Sequence, residues 1–152
     1  MIEVKNVTKN YGRKKVLQGV SFTANKGEIT CLIGVNGVGK TTILNGIMNL
    51  TPMTSGEILI DGKKMTKDMY EKITYIPDAI TMLPSMTIGD AIQFMKDFYK
   101  SWNNKRAEEL LKFFRLKKEE RIADLSKGNT AKVNLLLGLA LDVDYLLMDE
   151  PF

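Results

Sequence analysis

Residues 28–41, Glu28-Ile-Thr-Cys-Leu-Ile-Gly-Val-Asn-Gly-Val-Gly-Lys-Thr41, join a near-continuous apolar run to a glycine-rich loop. The run Glu28–Val35 predicts a strand buried on both faces, the kind found inside a parallel sheet. Its Cys31 then reads as a core thiol. The loop Gly34–Thr41 fits the spacing G-x-x-x-x-G-K-[ST]. That spacing has a mechanism when a strand precedes it and a helix follows. Successive backbone N–H groups converge on phosphate oxygens, and the helix N-terminus adds partial positive charge. Gly34, Gly37 and Gly39 permit the tight curve. Lys40 reaches β- and γ-phosphates, and the Thr41 hydroxyl is a hard oxygen ligand suited to Mg²⁺. A glycine turn with an exposed lysine is the structural alternative. The flanking strand and helix signals favour the nucleotide reading.

The helix signal runs from Gly39 to Leu50, with Ile43, Leu44, Ile47, Met48 and Leu50 at helical spacing. Upstream, IEVKNV alternates as a strand does, and Val16–Ala24 reads as a second strand. Downstream, GEILIDG predicts a strand ending in an Asp-Gly turn, and ITYIP a strand stopped by Pro77. The character then changes. Thr87 is placed to cap a helix whose Ile88, Ala91, Ile92, Met95 and Tyr99 form one stripe. A second helix is expected over Lys105–Leu116. A third begins at Ser126 and aligns Val133, Leu136, Leu137 and Ala140. Strand character returns at Tyr145–Met148. The order describes a mixed sheet with flanking helices, interrupted by a mostly helical insert from about Ala79 to Leu125: an α/β fold with an α subdomain.

Tyr145–Met148 delivers two acids, Asp149 and Glu150, at the carboxyl end of a strand, where ligands bind in open α/β sheets. Asp149 suits Mg²⁺, directly or through water. Glu150 suits a base that polarises water in line with a γ-phosphate. A solvated acidic turn is the bland alternative, and the phosphate loop upstream weighs against it.

Composition narrows the classes. At 152 residues, with 44% apolar and 26% charged, the chain suits one soluble domain. The net charge of +4 is compatible with polyphosphate or an anionic membrane surface, and no dense basic run interleaved with aromatics marks a nucleic-acid surface. No histidine is present, which removes His triads, His metal ligands and His proton switching. One cysteine cannot form an internal disulfide. MIEVKNVTKNYG has no apolar core of a signal peptide, and the longest apolar stretch, Leu135–Leu141, is far short of the ~20 residues that cross a bilayer. A cytoplasmic protein is expected.

Leu125-Ser-Lys-Gly-Asn129 lies between the loop and the paired acids and opens a helix. By itself it is a Ser cap followed by a flexible Gly. GVNGVGKTT, LSKGN and LLMDEP, in that order and spacing, resemble the ATP-binding subunit of a bacterial ABC transporter, across the whole chain. The resemblance implies a P-loop NTPase core with an antiparallel β subdomain and an inserted α-helical subdomain. It divides the chain into 1–78, the core with its phosphate loop; 79–125, the helical subdomain; and 126–152, the signature helix and acid-bearing strand. It implies ATP contacts from Tyr11, Val16, Gly34, Asn36, Gly37, Val38, Gly39, Lys40, Thr41 and Thr42, with Tyr11 stacking on adenine unless it merely packs a turn beside Gly12. Ser126, Lys127, Gly128 and Asn129 would cover the γ-phosphate held by a partner subunit. Mg²⁺ would be held by Thr41 and Asp149, and Glu150 would be catalytic.

Two departures stand out. Lys127 and Asn129 differ from the commonest LSGGQ pattern yet keep polar donors. LSKGN most resembles the single-domain ATPases of bacterial exporters, including those for antibiotics or toxic peptides. YIPD ends in Asp78 where the family usually has Gln, so Asp78 is either a third Mg²⁺ ligand or a loop acid. Family members also continue beyond the second acid, with a partner-contacting loop and an inner strand ending in a γ-phosphate histidine. The expectation is therefore an N-terminal piece of a longer protein, with C-terminal core elements missing, an open strand edge and little activity alone. The partners implied are ATP, a second ATP-binding subunit (identical or not) and an integral membrane subunit, at the cytoplasmic face of the membrane, with no nucleic acid. Rival functions are a soluble ABC-type ATPase acting on ribosomes or DNA, or an inactive fragment. A GTPase would need an N-K-x-D motif after the loop, and none follows it.

Overall fold

The computed structural model describes residues 1–151; Phe152, the last residue of the expected 126–152 segment, lies outside them. The chain divides into two compact units, 1–69 and 70 onward, each with its own sheet.

The first unit is built on β1 (Ile2–Tyr11), β2 (Lys14–Ala24) and β3 (Ser55–Ile60), in the antiparallel order β2-β1-β3. Alternation along β1 sends Ile2, Val4 and Val7 inward, as the period of two requires. The turn after β3 is the expected Asp-Gly hairpin. Asp61 and Gly62 both have positive φ, 50° and 77°, and Ile60 and Lys63 exchange backbone hydrogen bonds of 2.8 and 3.1 Å. Helix α1 (Lys40–Ile47) buries Ile43, Leu44 and Ile47, while Leu50 lies past its end and is exposed.

The second unit pairs β4 (Ile73–Ile76) with β5 (Tyr145–Met148) in parallel, from Ile73 opposite Tyr145 to Ile76 opposite Met148. Three helices fill the crossover between them: α2 (Ile88–Phe98), α3 (Asn104–Phe114) and α4 (Lys127–Leu139). Their apolar stripes close one core of Ile88, Ala91, Ile92, Met95, Leu111, Val133, Leu136 and Leu137, against which Tyr99 packs. Each helix starts where its side chains dictate. Thr87 and Asp90 form a reciprocal capping box, and those bonds hold the Asp90 carboxyl below its usual range. Asn103 accepts from Arg106 N–H at 2.9 Å, and Ser126 accepts from Asn129 N–H at 3.1 Å. Gly138 lets α4 press onto β4, since a Cβ there would lie 2.2 Å from Ile76 Cδ1.

One expectation fails. Glu28–Val35 is not a strand, and it is not buried on either face. Ile29 is 99% exposed and Ile33 92% exposed, and Cys31 is exposed rather than a core thiol. The physical reason is pairing. A strand is held by ladder hydrogen bonds to neighbours, and no described strand pairs with this segment. The mixed sheet expected from residue patterns is two sheets, and the antiparallel β2-β1-β3 sheet agrees with the antiparallel β subdomain that the family resemblance implies. Strand β5 is also less buried than a core strand, with Met148 exposed at its end.

Candidate nucleotide site and acid pair

The phosphate loop turns at two glycines with positive φ, Gly37 at 82° and Gly39 at 104°. Gly39 meets two demands at once. It occupies a left-handed conformation, and a Cβ there would come within 2.8 Å of Leu17 Cδ2 and 3.0 Å of Val16 Cγ1. The close approach brings Val16 of β2 against the start of α1. Lys40 curls back over the loop, and its ammonium donates to the carbonyl oxygens of Gly34 at 2.6 Å and Val35 at 3.1 Å. Helix α1 has no side-chain cap at Gly39 and no acidic residue in its first turn. An anion is therefore the natural complement of its N-terminal N–H groups and of Lys40. Asn36, Val38 and Thr41 lie exposed along the loop, and Thr42 is half-buried. Tyr11 ends β1, opposite Lys14, with about half its surface exposed. The Lys9 ammonium lies 4.9 Å from its ring centroid, so the ring already engages a cation.

In the second unit, Asp149 follows β5 and is 5% exposed, the one buried charged side chain among the described residues. Its backbone N–H donates to Ile76 O at 2.9 Å, continuing the parallel ladder by one rung. Its Oδ2 accepts a hydrogen bond from the Tyr75 hydroxyl at 3.2 Å. The Tyr75 phenol is pushed up to about 12 by burial first, then by the charge of Asp149 and its hydrogen bond, then by the charge of Asp78. Tyr75 is accordingly a neutral donor at physiological pH. Asp78 itself is exposed in the loop after β4. Asp78 and Asp149 thus both act on one phenol. No group of three or more acidic, cysteine or histidine side chains able to hold a metal forms among the described residues. Glu150 is exposed and takes a left-handed backbone, φ 42°, which is costly for a residue other than glycine.

Ser126, Lys127 and Gly128 are exposed at the N-terminus of α4, and Asn129 is half-buried. The Ser126 hydroxyl serves as the helix cap. Residue Asn134, two turns along, donates to Pro77 O at 2.7 Å and so ties α4 to the residue before Asp78.

Sequence reasoning missed Tyr75 and Asn134. The signal for Asn134 was a polar residue flanking the apolar stripe of α4. Tyr75 gave a weaker one: a phenol on a strand whose pairing with β5 the sequence did not state.

Comparison with known proteins places this geometry. The family described as ABC transporter matches residues 17–152. A zinc import ATP-binding protein of Rickettsia conorii is 37% identical over 99% of this chain and 62% of its own length. A linearmycin resistance ATP-binding protein of Bacillus subtilis is 33% identical over 99% of this chain and 51% of its own length. The chain therefore spans between half and two thirds of these curated relatives. Among solved structures, an ATP-binding subunit of an ABC transporter superposes with a TM-score of 0.86 at 29% identity, covering all of this chain and 67% of that one. A dimeric bacterial ABC transporter cassette gives 0.83 at 29% identity, covering 99% and 74%. No helix among the described residues is long and apolar enough to cross a membrane. A family match over most of the chain, with the phosphate loop, the signature segment and the paired acids in order, shows that this chain belongs to the ABC transporter family of ATP-binding proteins.

Proposed function

We propose that the protein binds and hydrolyses ATP as the motor subunit of an ABC transporter. The observation that carries this reading is the phosphate loop: Lys40 folded over loop carbonyls beside an uncapped helix N-terminus. On binding, Lys40 exchanges the Gly34 and Val35 carbonyls for β- and γ-phosphate oxygens, a stronger charge-assisted pairing. Asn36, Gly37, Val38, Gly39, Thr41 and Thr42 line the polyphosphate, and Val16 and Tyr11 border the base. The family resemblance would assign Mg²⁺ to the Thr41 hydroxyl and the Asp149 carboxylate, with Asp78 as a further carboxylate; all are hard oxygens, and the buried, hydrogen-bonded Asp149 by itself fits a cation ligand. Bound Mg²⁺ would neutralise developing phosphate charge. Glu150 accepts a proton from the attacking water.

In the same reading, 1–78, 79–125 and 126–152 are parts of one ATP-binding domain. Two such domains face each other, and Ser126, Lys127, Gly128 and Asn129 cover the nucleotide held by the partner. A membrane subunit couples closure to transport, with the protein on the inner face of the membrane. The LSKGN segment argues for export, while relatives of similar identity include importers of zinc and petrobactin.

The test is Glu150→Gln in the assembled transporter. ATP affinity should persist while turnover falls by about 10²–10⁴-fold, because an amide cannot act as the base. Undiminished turnover would remove Glu150 from its role.

A further inference from the structure

The parallel register fixes more than the backbone. Tyr75 lies opposite Leu147, and Asp149 is two residues beyond Leu147, on the same face of the sheet. A diagonal neighbour at that separation is within reach of a long aromatic side chain. Tyr75 makes the reach, and its hydroxyl donates to Asp149 Oδ2 at 3.2 Å. The next residue of β4, Ile76, accepts the Asp149 N–H at 2.9 Å. Two consecutive residues of one strand therefore grip the same aspartate, one by its backbone and one by its side chain.

We propose that Tyr75 is a positioning residue for Asp149: its hydroxyl fixes the orientation of the carboxylate before a hard divalent cation arrives. This rests on the reading of Asp149 as a Mg²⁺ ligand. A hydrogen bond to one carboxylate oxygen removes the torsional freedom that metal binding would otherwise have to quench. Outer partners of this kind set ligand geometry and metal affinity. A phenylalanine at position 75 would keep the ring and remove the hydrogen bond to Asp149 Oδ2.

The test compares Tyr75→Phe, Asp149→Asn and the wild type by binding of a fluorescent ATP analogue, with no turnover required. Binding is measured first with EDTA and then along a Mg²⁺ titration. For Tyr75→Phe, metal-free binding should match wild type, and the Mg²⁺ concentration at half-maximal enhancement should rise by about tenfold. Asp149→Asn should lose most of the enhancement. If Tyr75→Phe keeps the wild-type Mg²⁺ midpoint while Asp149→Asn loses the enhancement, the positioning role is wrong and the metal reading stands. If neither variant shifts the midpoint, the metal reading fails and the proposal with it. A Tyr75→Phe protein with a lowered melting temperature but a wild-type midpoint has lost only packing, which also overturns the proposal.

Discussion

Two apolar segments of this molecule meet opposite fates. Tyr145–Met148 sits in a parallel ladder with Ile73–Ile76, and that ladder carries Asp149 into a buried, hydrogen-bonded position. Residues 28–35 also carry a run of apolar side chains, yet Ile29 and Ile33 lie almost wholly in solvent and no described strand pairs with them. Apolar content sets how much is gained by burial, at roughly 25 cal/mol per Å². It does not supply the neighbours that satisfy N–H and C=O groups once water leaves. Strand β5 has a ladder from β4, and β4 in turn is covered by α4 where Gly138 meets Ile76. Residues 28–35 have neither, and the phosphate loop that follows them keeps its shape through Gly37, Gly39 and the Lys40 bonds instead.

Three substitutions test this contrast. Ile73 is almost fully buried at the start of β4, so Ile73→Ala should cost about 2–5 kcal/mol by denaturant titration. It should also speed amide exchange at 145–148; a neutral result would mean the ladder is held by something other than its packed face. Gly138→Ala acts one layer out. The added methyl collides with Ile76, and the strain should cost about 1–3 kcal/mol. An unchanged unfolding midpoint would show that α4 is not seated tightly on β4. The smallest effect belongs to the other segment. Ile33→Ser should change stability by less than about 0.5 kcal/mol, as exposed positions do. A loss of more than 2 kcal/mol, on the order of a buried side chain, would place 28–35 in a core.

Much of this was legible in the sequence where the signals are local. Thr87, Ser126 and the Asp61-Gly62 turn each carry their own chemistry within three or four residues, and each acts as expected. The stripes of α2 and α4 are also local, because helical spacing writes a face directly into the order of residues. The phosphate loop combined a fixed spacing with a following helix, and Gly39 shows why the last glycine is required. Sheet pairing is different. Whether an apolar run becomes a strand depends on residues far along the chain, so 28–35 and 145–148 looked alike. The Tyr75–Asp149 bond spans 74 positions and follows from parallel register, which no local pattern encodes. Asn134 to Pro77, 57 positions apart, is the same kind of contact.

Residues 34–42 should form a working phosphate site despite the exposed run before them. Isothermal titration of MgATP into the wild-type protein and into Lys40→Ala tests it most directly. The wild type should bind saturably. Lys40→Ala should lose at least about tenfold in affinity, since a charge-assisted bond to phosphate is worth roughly 1.5–3 kcal/mol. Equal affinity in the two folded proteins would mean that Lys40 does not meet the phosphates.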